Sequence, residues 1–273
     1  MIWPTLHRTV HVPDDARVFF VGDIHGGLDE LYAAMHMVGF NSNKDYLFAV
    51  GDLIDRGPKN LQVLAKFLYD KTGRYNTVMG NHDAFLANVG TPDFLWYMNG
   101  GAWAQKDLSD DARVALAETM AAKAPVFMTV HHRDRTFGVV HGGIPPQFED
   151  RGENLQTPVW HDVIETLHMR PYGNAQAMWN NLEPYMWDRD SIAWARQHIK
   201  GSTDTVLPNV LGVDFTIHGH TPQREPLRFG NRIWIDTEGR KGTFSILEND
   251  ADLTTVLMPR TDSGEEPKYI KMF

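Results

Sequence analysis

Five apolar runs of this chain end in the same chemistry. The stretches "FFVGDIHGG", "FAVGDLIDRG", "TVMGNHD", "FGVVHGG" and "FTIHGHTP" each leave a buried-type segment at Gly or a short polar turn bearing Asp, His or Asn. The polar residues delivered in this way are Asp23 and His25, Asp52, Asn81 and His82, His141, and finally His218 and His220. All are oxygen or nitrogen donors of the kind that hold divalent metal ions. They outnumber what one tetrahedral ion can use, so two ions fit better. Two ions about 3.5 to 4 Å apart need a shared carboxylate, and a water held by both becomes a hydroxide able to attack phosphorus in line. Asp52 is the candidate bridge. A single Asp or His at a strand end is ordinarily a turn former or a solvated surface group, so the inference rests on the whole set.

The elements that must position these residues follow from the apolar pattern. "RVFFV" (Arg17 to Val21) reads as a strand, and Leu31, Ala34, Met35 and Val38 recur after it at helical spacing until Gly39. The alternation repeats with "YLFAV" before "NLQVLAKFLYD", and with "NTVM" before the apolar stretch Ala84 to Val89. Parallel neighbours need a crossover connection, so this half reads as βαβαβ. Residues 92–124 read as helical. Beyond Pro125 the pattern changes to strands: "VFMTVHH", "TFGVVHGG", "FTIHG", "RIWID", "TFSIL" and "TTVLM" predict a second, largely antiparallel sheet. Residues 145–210 show no steady periodicity and predict an irregular excursion with short helices on the substrate side, and the polar tail after 259 predicts a loose end. One domain over residues 1–273 is expected. In open α/β sheets the carboxyl ends of parallel strands line one edge, so the five endings are expected to meet there.

Composition narrows the function. With 42% hydrophobic and 22% charged residues the chain is an ordinary globular protein. Lys and Arg number 26 against 35 Asp and Glu, and the resulting net charge of -9 offers no basic field for a nucleic-acid backbone. There is no cysteine, which excludes thiol nucleophiles and thiolate metal sites. No basic leader or run of about 18 apolar residues is present, so no membrane association and a cytoplasmic location are expected. "GDIHGG" lacks the spacing of a dinucleotide fingerprint and no GK[ST] loop occurs, which sets nucleotide-binding folds aside. The pattern leaves the oligomeric state open.

The ordered motifs "GDIHG" (22–26), "GDLIDRG" (51–57), "GNHD" (80–83), "HGG" (141–143) and "GHT" (219–221) resemble those of calcineurin-like metallophosphoesterases of the phosphoprotein phosphatase branch. "WYMNGGAWAQ" (96–105), "MWDRDSI" (186–192) and "GHTPQREPLRFGNRIWIDT" (219–237) are similar to the lambda-type Ser/Thr protein phosphatases. The resemblance implies a four-layer α/β/β/α sandwich with two central mixed sheets and the site at the sheet edge. It implies a first metal on Asp23, His25 and Asp52, and a second on Asp52, Asn81, His141 and His220. It leaves His218 outside the ligand set, as a packed or supporting histidine. The cofactor expected is a pair of divalent ions, Mn2+ first, with iron or zinc as alternatives. His82 is expected to protonate the leaving oxygen, Asp55 to orient it, and Arg56 and Arg189 to clamp phosphate. The substrate expected is a phosphorylated protein or peptide, cleaved at phosphoserine or phosphothreonine. Asp83 stands where protein phosphatases of this branch more often carry Glu and also occurs in symmetrical dinucleoside tetraphosphatases, which motivates that activity as the alternative.

Overall fold

Two six-stranded mixed sheets carry the chain. The computed structural model describes residues 2–88, 93–148, 155–237, 243–259 and 265–272. In chain order the strands are β1 (His7–Val12), β2 (Val18–Val21), β3 (Tyr46–Ala49), β4 (Tyr75–Thr77), β5 (Phe127–His132), β6 (Arg135–Val140), β7 (Phe215–His218), β8 (Leu227–Phe229), β9 (Arg232–Trp234), β10 (Phe244–Glu248), β11 (Thr254–Met258) and β12 (Lys268–Lys271). The helices are α1 (Leu28–Met37), α2 (Asn60–Leu68), α3 (Asn81–Ala87), α4 (Asp93–Trp96), α5 (Ala102–Asp107), α6 (Asp110–Lys123), α7 (Trp160–Met169), α8 (Ala175–Trp187) and α9 (Asp190–Ile199), with a π-helical turn, Tyr97–Gly101, joining α4 to α5.

The first sheet runs β12-β11-β10-β2-β3-β4 and the second β1-β5-β6-β7-β9-β8. Side-chain alternation explains why they stack. Along β2, Val18 and Phe20 join the cluster between the sheets, whereas Phe19 and Val21 face the helices. Phe48 of β3 and Phe137 of β6 meet Phe20 in that seam, with ring centroids at 5.6 and 4.9 Å. Leu31 and Met35 of α1, with Val63 and Phe67 of α2, cover the outside of the first sheet. Trp160 of α7 packs edge-on against Phe127 at 5.7 Å and covers the outside of the second. The four-layer sandwich is thus formed. Among the described residues no helix is long and apolar enough to cross a membrane.

The expected βαβαβ half is present, with β2, β3 and β4 parallel. Two expectations about the sheets fail for physical reasons. The second sheet is not largely antiparallel: β1–β5, β6–β7 and β7–β9 are parallel, and only β5–β6 and β8–β9 are antiparallel. The long segment between β6 and β7 supplies the crossover that parallel pairing requires. "TFSIL" and "TTVLM" became β10 and β11, which extend the first sheet because β10 pairs with β2. The excursion at 145–210 carries helices, as expected. It holds α7, α8 and α9, buried through Trp160, Ile164 and Leu167, through Trp179, Leu182 and Met186, and through Ile192 and Ala195. Residues 149–154 of that segment lie outside the described residues.

The tail after 259 is also more ordered than expected. β12 pairs antiparallel with β11 and Met272 is buried, although residues 260–264 lie outside the described residues. β1 went unpredicted because "HRTVHV" intersperses histidines and arginine with its valines. It is an edge strand pairing in parallel with β5, so only one neighbour needs satisfying.

Candidate active site

All five motifs end at one edge of the sandwich. Asp23 and His25 follow β2, Asp52 follows β3, Asn81 opens α3 just after β4, His141 follows β6, and His220 follows β7. The backbone there is unusual. His25, Asp52, Asp55, Arg56 and His220 all adopt positive φ, at 45, 50, 75, 66 and 66°, a region non-glycine residues rarely occupy. Glycines permit the close approach of neighbouring turns. A Cβ on Gly80 would lie 2.2 Å from Asp52 Oδ1, and one on Gly219 would lie 2.2 Å from Asp23 Oδ1.

Asp23, Asp52 and His141 bring donor atoms within 4.8 Å of one another, and so do His25, Asp52 and His82. Asp52 belongs to both groups. Its Oδ2 lies 3.5 Å from His25 Nε2 and its Oδ1 lies 3.4 Å from His141 Nε2. Asn81 Oδ1 is approached by His141 Nε2 at 3.0 Å and by His220 Nδ1 at 2.8 Å. The His220 amide points at Asp23, 3.2 Å from Oδ2. The expected ligands therefore meet in one place. His82, one of the strand-end donors and the residue to which the resemblance gives proton transfer, stands among the donors of one group.

The surroundings favour a metal-binding state. His25 Nδ1 donates to the Ile54 carbonyl at 2.8 Å and His141 Nδ1 to the Val50 carbonyl at 2.7 Å, which turns each Nε2 toward Asp52. Burial pushes His25 and His220 down to about 3, so both rings are neutral and able to coordinate. Burial opposes the charge on Asp52, yet His141, His82 and His25 hold its carboxyl well below the usual carboxylate range. Burial likewise works against a charge on His141, but Asp52 outweighs it and raises that ring. His220 Nε2 is buried with no hydrogen-bond partner among the described residues. Ionised carboxylate, amide oxygen and imidazoles, with outer hydrogen bonds fixing the rings, fit a pair of divalent ions of the manganese, iron or zinc type.

A second constellation adjoins the donors. His82 Nδ1 donates to Asp55 Oδ2 at 2.7 Å. Two indoles close on the same carboxylate: Trp103 Nε1 donates to Asp55 Oδ1 at 2.7 Å, and Trp96 Nε1 lies 3.0 Å from Oδ2. The motif "WYMNGGAWAQ" is similar to relatives, but the resemblance assigns its tryptophans no role. The π-helical turn at Tyr97–Gly101 carries both indoles back to one acceptor. Gly100, at φ 106°, lets that turn pass close to the Arg56 backbone. The Arg56 guanidinium reaches His25 Nε2 at 2.8 Å and His82 Nε2 at 3.1 Å.

The remaining expected residues are placed as follows. Arg189 is exposed at the start of α9, near enough that its charge helps keep His220 unprotonated. Asp188 accepts from the amides of Asp190 at 3.0 Å and Ser191 at 3.3 Å. His218 is a satisfied core residue. Its Nδ1 donates to the Val140 carbonyl at 3.0 Å, and its Nε2 accepts from the Thr216 hydroxyl at 2.9 Å. Asp83 is fully buried and holds two turns together, Oδ1 accepting from the Leu53 amide and Oδ2 from the Gly80 amide, each at 3.0 Å.

This fold and donor set agree with comparison to known proteins: residues 16–224 match the calcineurin-like phosphoesterase family, and the chain belongs to it. It is 27% identical over 226 residues to serine/threonine-protein phosphatase 2 of Salmonella typhimurium, spanning 81% of this chain and 86% of that protein. It is 31% identical over 175 residues to the symmetrical bis(5'-nucleosyl)-tetraphosphatase of Psychromonas ingrahamii, covering 60% of this chain and 59% of that one. A serine/threonine phosphatase from Saccharomyces cerevisiae shares the fold at TM-score 0.55 and 14% identity, over 99% of this chain and 85% of that one.

Proposed function

We propose that this phosphoesterase is a metal-dependent protein phosphatase acting on phosphoserine and phosphothreonine. The observation that carries the chemistry is Asp52 set between two donor groups, beside a His82–Asp55 pair. Asp23, His25 and Asp52 are assigned to one ion, and Asp52, Asn81, His141 and His220 to the other. When bound, such a pair lowers the pKa of water and so supplies a nucleophile at neutral pH. Manganese is the metal proposed.

The rest is work for the chain's own side chains. Asp55 holds His82 by its Nδ1–H, leaving Nε2 to deliver a proton to the departing alkoxide. Arg56 lies against His82 Nε2 at 3.1 Å, so its fork can leave the imidazoles and take two phosphate oxygens as substrate arrives. Arg189, exposed beside His220, supplies the second clamp. Water exclusion falls to the buried walls around Asp55 and Asp52.

The phosphoprotein reading draws support from relatives named serine/threonine-protein phosphatase, whose matches span most of both chains. The second reading, symmetrical hydrolysis of a dinucleoside tetraphosphate, draws support from relatives of that name at 31% identity over a shorter span. Asp83, the basis of that alternative, accepts from the backbone amides of Leu53 and Gly80, so its identity bears on turn geometry. Turnover of a phosphoserine peptide and of diadenosine tetraphosphate, side by side on the manganese-loaded protein, decides between them. Rapid cleavage of the nucleotide alone would reverse the order of preference.

A further inference from the structure

A cavity of about 440 Å³ opens beside Asn81, between α3 and α8. Its inner wall is the edge-on pair Phe85 and Trp187, with centroids 6.0 Å apart. Phe85 meets His82 edge-on at 5.9 Å, and Trp187 meets His220 edge-on at 5.4 Å. The wall therefore touches both the proton donor and a metal ligand of the reading above, on which this inference rests. In an in-line displacement the leaving oxygen departs on the proton donor's side. Whatever group is attached to that oxygen then lies across Phe85, in this cavity.

The cavity's chemistry is selective. Besides its apolar wall it is lined by the carboxamides of Asn88, Asn99, Gln176 and Asn180, of which Asn99 donates to the Leu95 carbonyl at 2.7 Å and Gln176 to Asn180 Oδ1 at 2.9 Å, and Glu183 is its one charged residue among those described. Among the described residues no Lys or Arg lines it. Carboxamides match the hydrogen bonding of neutral amides and hydroxyls. A leaving group bearing further phosphates would instead bring several negative charges against an aromatic wall and a carboxylate, with no Lys or Arg among the described lining residues to offset them. We infer that this cavity is the leaving-group subsite, that it takes uncharged alcohols, and that Glu183 is a specificity residue rejecting leaving groups that carry additional phosphate.

Glu183 is exposed on α8, so charge changes there leave the fold intact. The test compares kcat/KM for a phosphoserine peptide, p-nitrophenyl phosphate and diadenosine tetraphosphate in the wild type, Glu183→Gln and Glu183→Lys. The wild type should favour both neutral leaving groups over the tetraphosphate, and Glu183→Lys should narrow that ratio about tenfold, with Glu183→Gln intermediate. A wild type that cleaves the tetraphosphate as efficiently, or a ratio unmoved by charge reversal, would overturn the assignment. Calorimetric titration of ADP into the metal-free protein separates this from failure of the catalytic reading. ADP should bind about tenfold more tightly to Glu183→Lys than to wild type, and equal affinities would refute the subsite even if no ester were hydrolysed.

Discussion

The Asp55 carboxylate accepts a 2.7 Å hydrogen bond from His82 Nδ1 and receives the indole N–H groups of Trp96 and Trp103 as well. Three donors on one buried carboxylate leave it little freedom to rotate, and the imidazole inherits that fixity. Replacing His82 by Asn is expected to lower kcat roughly 10² to 10⁴-fold with metal content unchanged, measured by steady-state assay and elemental analysis. Retained turnover in this variant would remove His82 from the reaction.

Trp96→Phe and Trp103→Phe each delete one donor while keeping an aromatic ring. Each is expected to lower kcat about tenfold and leave KM near its original value, because only the orientation of the His82 pair is disturbed. A rise in KM alone would show that the indoles act on substrate instead.

Gly80 and Gly219 stand where a Cβ would reach within 2.2 Å of Asp52 and Asp23 oxygens. Gly80→Ala or Gly219→Ala is expected to destabilise the fold by about 1 to 3 kcal/mol, through overpacking that shifts backbone. Denaturant melts with and without manganese check this. In the variants the gain in stability on adding metal should shrink, since the displaced carboxylates are the proposed ligands.

Metal should stabilise the unaltered protein as well. At about 100-fold excess over Kd, manganese is expected to contribute about 2.7 kcal/mol, and chelation should abolish turnover until metal is restored. Asp52→Asn is expected to lose both the stabilisation and the activity. A melting midpoint indifferent to manganese would count against the site.

Acid should weaken the fold partly through a residue remote from this chemistry. Burial, with the nearby His161 and His168, pushes His7 down to about 4 from its ordinary 6.5. The unfolded chain then takes up the proton first as pH falls. The stability tied to neutral His7 is full above about 6.5 and is lost as pH drops through about 4. His7→Gln is expected to flatten the stability profile across that window, as read from denaturant midpoints between those pH values. An unchanged slope would exclude His7 as a contributor.

What the sequence made legible was local. A strand that ends in Gly-Asp or Gly-His announces both its own end and the polar tip beyond it, so Asp23, Asp52, Asn81 and His141 were visible before any fold was known. Sheet membership was not visible, because β10 finds β2 across more than two hundred residues and no local pattern records that pairing. Short helices within 145–210 were expected but not their bounds, because tryptophans and Pro184 inside α8 blur a regular period. The partners of Asp55 are not legible in the sequence, because Trp96 and Trp103 look like ordinary core aromatics until the π-helical turn aims both at one oxygen pair.

The donors come from both halves of the sandwich. Asp23, His25, Asp52 and Asn81 follow strands of one sheet, whereas His141 and His220 follow strands of the other. Ions seated there would act as rivets through the two plates, so prising the plates apart would require stripping the rivets first. Slow loss of structure under load, rather than a mere shift in equilibrium, is the mechanical signature such an assembly would leave.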